Sequence, residues 1–588
     1  MEHSLLHGFE LAGQIIALGG ALFVLCLVRP LVGRSLLQIH SGGIAARVLE
    51  EAGRWTAWGA LAAALATGLN LFVETAETQG STVFGGMHLS LLAKFVLRTR
   101  VGRLSLWRIG ILLLTAFVAR LAGFARWWLV LGGACSGIIL TSLVSHAAAQ
   151  PVGRGIVMAS QIAHLFAAAA WVGMLVHLIV VRRYVASQAG DASLCLLAGI
   201  VRRFSPVALA VTTLLGASGL WMICRFFTEP SAVMTSAYGL TLMVKVLLLL
   251  PAIYAGFVNF RVIRPALLRL AETRERLAQP ANFQAMEASL LHRFGRLLEL
   301  EVTAGLLVIT VAGILASVSP PGEAGAYRLS DRQAQALLRP HLPVVNIVNP
   351  NSFYGAPERT FGDLRYAEFT HNWSGVLVCL LGLGWLLQNA RGRTGQWAQR
   401  FWPLLLLPFA VFVALASDPE VWLFRKVSFG QVLRDPQLLE HQLGAVMILV
   451  LAWLGWRNNL RPEGSRSFGY GLSIVLAAGG ILLLGHAHST LNSTEELTNL
   501  INVQHAVFGA FIIFAGTVQW LVVRGLFPRR VGNFVWPSLV IGLGIFMAFY
   551  YRETWAQTSG SGFKADGRLE QRMAASHKEE SPEIEAII

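Results

Sequence analysis

The sequence predicts an all-α, polytopic helical membrane protein of about fourteen transmembrane helices, eight followed by six. Two observations carry this. Of 588 residues, 55% are hydrophobic and only 13% charged, at a mean hydropathy of +0.59, whereas soluble chains carry about 25% charged residues. The apolar residues are also gathered into runs of roughly 20, the length that crosses a bilayer core of about 30 Å. The formal charge of +15 lies in short basic blocks between these runs, so it sets topology and predicts no nucleic-acid partner.

In chain order the runs are 9–28, 55–73, 104–122, 127–147, 155–181, 204–226, 239–260, 297–318, 368–389, 401–416, 439–456, 469–486, 501–523 and 533–551. The first should persist as a helix, because Met1-Glu2-His3-Ser4 lacks the cationic start of a secretory signal. Alternate loops hold Arg29, Arg34, Arg47 and Arg54, then Arg182, Arg183, Arg202 and Arg203, then Arg391, Arg393 and Arg400, and at last Arg524, Arg529 and Arg530. The positive-inside rule makes these loops cytoplasmic and both termini extracytoplasmic. Lys94, Arg98, Arg100 and Arg103 depart from this pattern.

The polar stretch opening at Ser319-Pro320-Pro321-Gly322 and holding Asn349-Pro350-Asn351 is a breaker segment. It divides the chain into an eight-helix part, 1–321, a loop, 322–367, and a six-helix part, 368–553. A polar tail, 554–588, is expected to be disordered. Thr99-x-x-Gly102 with Arg108, and Ser236-x-x-Gly239 with Lys245, form an internal echo of the kind a four-plus-four repeat would leave. The five cysteines are scattered in apolar runs without a C-x-x-C, so no disulfide framework or thiolate metal site is encoded.

The histidines are placed unevenly. On the topology above, His146, His164, His371, His441, His486, His488 and His505 all fall toward the extracytoplasmic face, while His40, His177 and His292 lie toward the other. Neutral imidazole binds copper, zinc, iron or nickel, and several at one depth are what a metal site needs. His486-x-His488 reads as a chelate at a fraying helix end. His164 is placed about 14 Å deep, with Gln161 and Trp171 on its helix face, and an intramembrane polar ring points to function. Met158, nearer the mouth, could add a thioether. His3 and His7, placed just outside the first helix, would either capture metal before entry or form part of a solvated tail. Lys245, Glu299 and Glu301 sit within two turns of span ends and are expected to snorkel, and Asn259 with Arg261 admits an interfacial-anchor role.

Haem b is the rival to copper, since paired histidines on adjacent helices hold it; His371, His441 and His505 are its candidate ligands, in an electron-transfer or metal-reductase protein. A non-transporting subunit that holds metal for a partner is a third reading. No G-x-x-x-x-G-K-[ST] or H-E-x-x-H occurs, so nucleotide-driven or hydrolytic chemistry is not predicted and the chain is not expected to be an enzyme.

Ser145-His146-Ala147-Ala148, His164-Leu165, Trp171-Val172-Gly173, Arg203-Phe204-Ser205, Tyr238-Gly239 with Lys245, Asn259 and Ser319-Pro320-Pro321 resemble the copper-resistance protein D (CopD) family of bacterial inner-membrane proteins. Glu368-Phe369-Thr370-His371-Asn372-Trp373-Ser374-Gly375, Ser417-Asp418-Pro419-Glu420-Val421-Trp422, Glu440-His441, His486-Ala487-His488 and Tyr551-Arg552-Glu553 are similar to its long members. The resemblance implies copper homeostasis and resistance: movement of copper across the inner membrane, usually inward, beside a separate periplasmic CopC-like carrier. The chain has no fused carrier domain and no methionine-rich run, and a histidine-rich set suits copper at an oxidising face.

Overall fold

The computed structural model describes residues 2–32, 42–78, 89–150, 152–187, 191–274, 282–321, 328–345, 361–390, 392–418, 428–432, 436–459, 466–486 and 495–554. Asn349-Pro350-Asn351, His40, His488 and the tail from 555 lie outside the described residues. Among the described residues the chain is helical, without strands, as a bilayer requires of backbone that must satisfy its own hydrogen bonds.

The first half comprises α1 (Glu2–Leu22), α2 (Gly42–Glu77), α3 (Leu89–Arg98), α4 (Arg100–Val118), α5 (Arg126–Ser142), α6 (Arg154–Ala168), α7 (Met174–Ser187), α8 (Asp191–Phe226), α9 (Ala237–Val258), α10 (Arg264–Arg274) and α11 (Phe283–Leu315). The second comprises α12 (Phe361–Leu387), α13 (Arg393–Ala416), α14 (Pro436–Asn459), α15 (Arg466–Gly485), α16 (Glu495–Val523) and α17 (Arg529–Phe549). Thirteen spans among the described residues are long and apolar enough to cross a membrane, so this is a multi-pass membrane protein. The expected fourth span, α5, is only 17 residues long.

Wide π-helical turns occur at Phe23–Val28, Ala169–Gly173 and Asn259–Ile263. The last two converge on one carboxylate: the Asn259 amide donates to Glu301, and the Trp171 indole reaches it as well. Glu301 is buried, so it does not snorkel, and Asn259 is its partner rather than an interfacial anchor.

The Thr99 and Ser236 echo is a pair of matching helix starts. Each hydroxyl caps its helix by accepting from the glycine N–H three residues on, at 2.9 Å for Gly102 and 3.0 Å for Gly239, a standard device for an orphan N–H. Apolar packing joins the two halves: Val244 and Leu248 of α9 and Ile314 of α11 pack with Leu500, Ile501 and Ile513 of α16, and Trp520, Leu521 and Leu526 pack against the core of the first half.

Within the second half, small residues let helices approach closely. A Cβ on Gly375 of α12 would stand 2.4 Å from the Ala548 nitrogen of α17, and one on Gly509 of α16 would stand 2.7 Å from the Gly480 oxygen of α15. Gly375 is one turn from His371 and Gly509 one turn from His505. These contacts therefore set how near the imidazole-bearing helix ends can come.

Candidate functional site

Four helices each deliver one imidazole to a single cluster: His371 from α12, His441 from α14, His486 at the end of α15, and His505 from α16. Ring centroids lie 5.0 Å apart for His441 and His486, 4.8 Å for His486 and His505, and 5.5 Å for His505 and His371. The cluster is largely buried, with His486 and His505 only 6% and 2% exposed. His488 lies outside the described residues.

Each ring has its Nδ1 committed to an oxygen acceptor. His371 Nδ1 donates to the Ala367 carbonyl at 2.8 Å and His505 Nδ1 to the Ile501 carbonyl at 2.9 Å, both one turn back on their own helices. His441 Nδ1 donates to Asp418 at 2.8 Å, and His486 Nδ1 to Glu440. A carbonyl can only accept, so in neutral His371 and His505 Nδ1 carries the proton and Nε2 the lone pair; the same holds for His441 and His486 when their carboxylates are ionised. Carboxylate-backed imidazole is the arrangement that orients metal-binding histidine and raises its basicity. Among the described residues, no group of three or more His, Cys, Asp or Glu side chains already stands in a metal-holding arrangement.

The segment after α17 closes over the cluster. Tyr551, fully buried, stacks on His371 at 4.0 Å and bonds through its hydroxyl to Glu553. Two clamps hold it there. Glu368 accepts from the backbone N–H groups of Glu553 and Thr554, each at 2.8 Å, and Gln504 exchanges two 2.9 Å bonds with the Arg552 backbone. The Tyr551-Arg552-Glu553 motif is thus a structural cover.

The fit to haem was tested on this geometry. Consecutive rings of the four have centroids 4.8–5.5 Å apart, too close for a macrocycle between them. The cavity beside them holds about 270 Å³, whereas a cavity of about 150 Å³ takes a single benzene ring and four linked pyrroles need several times that. The residues do not fit haem b.

His146 and His164 lie apart from this cluster, in the first half. His146 Nε2 donates to the Ala316 carbonyl at the end of α11, 2.9 Å away. His164 Nδ1 meets the Ser218 hydroxyl of α8 at 3.0 Å, and that hydroxyl gives its own proton to the Leu214 carbonyl at 2.7 Å. His164 therefore donates through Nδ1 and keeps its lone pair on Nε2. Gln161 bonds Ser145 rather than His164, Trp171 belongs to the Glu301 site, and Met158 packs in an apolar cluster with Val157 and Phe226. His177 is buried against Phe23 and the Ile16 carbonyl.

Sequence reasoning missed the carboxylates. Asp418, 3% exposed, and Glu440 could have been found by asking what would hold a buried imidazole Nδ1. It also missed the buried pair in the first half: Glu10, 0% exposed, meets Arg108, 4% exposed, at 2.7 Å, and Gln14 and Thr141 complete the network. His3 and His7 are corrected from the expected position. They lie inside α1, ring centroids 6.3 Å apart, each 3.7 Å from a carboxylate, Glu74 and Glu10 respectively.

Comparison with known families gives two matches. The family described as Copper resistance protein D matches residues 198–315, and the one described as Copper resistance protein D-like, N-terminal domain, matches residues 4–156. No curated protein and no solved structure matches the chain.

Proposed function

Because this chain belongs to the copper-resistance protein D family, with a long additional region after residue 315, we propose that it binds copper at its histidine-bearing face and carries the ion across the bacterial inner membrane into the cytoplasm. Its role in copper resistance follows from the family. The direction, the inner membrane and the extracytoplasmic placement of both termini are parts of the proposal, supported by the arginine distribution.

One observation carries the reading: four imidazoles from four helices meet in one buried cluster, and two of them, His441 and His486, are backed by carboxylates, the arrangement that orients metal-binding histidine. The carboxylate-backed pair, His441 and His486, forms the core of the copper site, and His371 and His505 are drawn on from the same cluster. Asp418 and Glu440 place two carboxyl groups against the rings that would hold copper, and in ionised form they would neutralise Cu(II) in a low-dielectric setting. In the first half, His146 and His164 are stations on the inward route, with His164 Nε2 as the deeper donor. The ion reaches the face from a separate CopC-like carrier. On this reading residues 1–321 are the transporting unit and 368–553 the histidine-bearing unit.

The test pairs copper content with uptake. Purified protein is expected to retain copper, with His441→Ala and His486→Ala depleted. Cells making His164→Ala at normal level are expected to lose copper-dependent accumulation. Full uptake by that variant would move the function to a metal-holding subunit.

A further inference from the structure

Glu301 of α11 has no part in the copper route described above. It is 3% exposed, inside the first half, and its two hydrogen-bond donors both come from π-helical turns: the Asn259 amide from the turn that follows α9, and the Trp171 indole from the turn between α6 and α7. Such turns are rare and gather at functional sites. We propose that Glu301 is a proton-binding site that releases and regains one proton for each copper ion passing through the first half, so that copper entry is coupled to proton movement. The proposal rests on the copper reading above for the ion that drives the exchange.

Glu301 lacks a countercharge. Among the described residues no Lys, Arg or His nitrogen stands within 4 Å of it, and the groups that act on it are the two neutral donors. The ionisable groups on the elements packed against α11 are engaged elsewhere: His3 and His7 of α1 beside Glu74 and Glu10, Glu10 with Arg108, His177 and Arg182 of α7 with the Ile16 and Leu291 carbonyls, Arg264 of α10 over the Phe260 ring, and Tyr470 of α15 with Arg524. Arg261 of the π-turn is exposed. On α11 itself Glu299 pairs with Arg183 and Arg524, and Glu287 with Arg274. A Cβ on Gly256 of α9 would stand 3.4 Å from Glu301 Oε2, and Lys245 lies about 16 Å along that helix from Gly256 at 1.5 Å per residue. Burying an ionised carboxylate without a countercharge is costly, and a bound proton removes that cost. Asn259 serves both states. Its Nδ2–H donates to the ionised carboxyl, and its Oδ1, which is buried with no hydrogen-bond partner among the described residues, can accept from a Glu301 O–H once the amide turns over.

Trp171 ties the site to the copper route. His164 and Trp171 lie on one continuous run, α6 passing through the π-helical turn into α7, and Trp171 is about 10 Å further along it, toward the proposed cytoplasmic side, at 1.5 Å per residue. Neither Trp171 nor Asn259 is one of the proposed copper donors. An ion held at His164 brings positive charge into the low-dielectric interior, where charges at such a separation still interact because little water screens them. Loss of the Glu301 proton offsets that charge. The O–H bond breaks, its electron pair stays on the carboxylate oxygen, the proton leaves to water on the cytoplasmic side, and Asn259 turns its Nδ2–H to the anion. Once the ion has moved on, a proton entering by the same route restores the neutral carboxyl, so one proton enters with each ion. No electron is transferred, and copper keeps its oxidation state.

The test uses the full chain. In lipid nanodiscs without copper, the infrared band of protonated carboxyl groups is followed across pH. Glu301→Gln keeps the shape of the side chain and cannot ionise, so it is expected to remove one titrating carboxyl from the wild-type spectrum. The protein is then placed in liposomes that hold a pH-sensitive dye, with the membrane potential clamped by potassium and an ionophore. Copper added outside is expected to acidify the interior by one proton per ion carried, and Glu301→Gln to lose that acidification together with the pH dependence of copper entry. Should that variant not fold, Asn259→Leu leaves the carboxyl in place without its amide partner and is expected to displace the pH at which the band titrates; no displacement overturns the proposal. Identical carboxyl spectra for wild type and Glu301→Gln also overturn it, as does copper entry with equal acidification in both, or with none in the wild type. A Glu301 band without copper entry would instead sink the copper reading alone, since the first measurement contains no metal.

Discussion

Replacing Asp418 by asparagine tests whether the histidine cluster is built for metal. The carboxylate meets His441 Nδ1 through both oxygens, at 2.8 and 3.0 Å, and it is only 3% exposed, so water cannot take over its role. The change keeps volume and removes charge. Loss of an orienting partner of this kind costs about 10–100-fold in metal affinity, which corresponds to about 1.4–2.8 kcal/mol. Competition against a chromophoric Cu(I) or Cu(II) chelator, with protein in nanodiscs, reads this directly. Glu440→Gln should act the same way through His486. A cycle makes the assignment specific: Asp418→Asn added to His441→Ala should cost nothing further, because the carboxylate acts through that ring. If Asp418→Asn and Glu440→Gln both bind copper as the wild type does, the carboxylate–imidazole pairs are only structural and the site reading fails.

Other expectations follow from the same packing. Gly509→Val places its side chain against the Gly480 oxygen, which a Cβ alone would approach to 2.7 Å; overpacking of this order costs about 1–3 kcal/mol, and both melting temperature and copper affinity should fall because His486 and His505 are moved apart. Arg108→Ala strands Glu10 in the first half and should destabilise the protein by about 3–5 kcal/mol, whereas Glu10→Leu with Arg108→Met should restore most of that loss, measured by thermal unfolding in detergent. The Arg328 guanidinium beside Glu229, an exposed pair outside the spans, holds the Glu229 carboxyl below its ordinary value. Whatever that contact adds is therefore complete above the ordinary carboxylate pKa and lost as pH falls through the lowered one. Hydrogen exchange of the Leu329 amide, bonded to the Thr235 carbonyl nearby, should quicken only at acid pH, and Glu229→Gln should leave the melting temperature unchanged.

The fold was legible because the membrane imposes a coarse rule: apolar runs of one length become helices, and their ends alternate. That alternation was enough to bring His371, His441, His486 and His505 to one face before any coordinates. What it could not give was pairing. Asp418 reaches His441 from just beyond the end of α13, and Glu440 reaches the ring of His486 although its chain neighbour is His441. No periodicity encodes such a choice, since it depends on how α13, α14 and α15 are rotated against one another. The π-helical turns were equally hidden. One extra residue in a turn leaves the hydrophobic pattern intact but changes which residues face Glu301, so Trp171 and Asn259 gained partners that a uniform helix would not assign. Likewise the sequence marked Glu368 and Tyr551-Arg552-Glu553 as motifs without revealing that one clamps the other.

The polar groups inside the helices fall into two physical kinds. Glu10 and Arg108 are opposite charges in direct contact, with Gln14 and Thr141 taking up further hydrogen bonds. A cation passing there would have to displace a guanidinium from a fully buried carboxylate, at a cost set by the strength of that pair. This network ties α1, α4 and α5 together and resists passage. The imidazoles are organised in the opposite sense. Their Nδ1 atoms face backbone carbonyls at His371 and His505 and carboxylates at His441 and His486, so no guanidinium stands between them and an incoming ion. His164 follows the same rule at Ser218, where the hydroxyl has already spent its proton on Leu214. On the proposed copper reading, a metal ion would find donors at the histidines and a locked charge pair at α1, so the proposed route through the first half runs along α6 and α8, past His164, and not between α1 and α4.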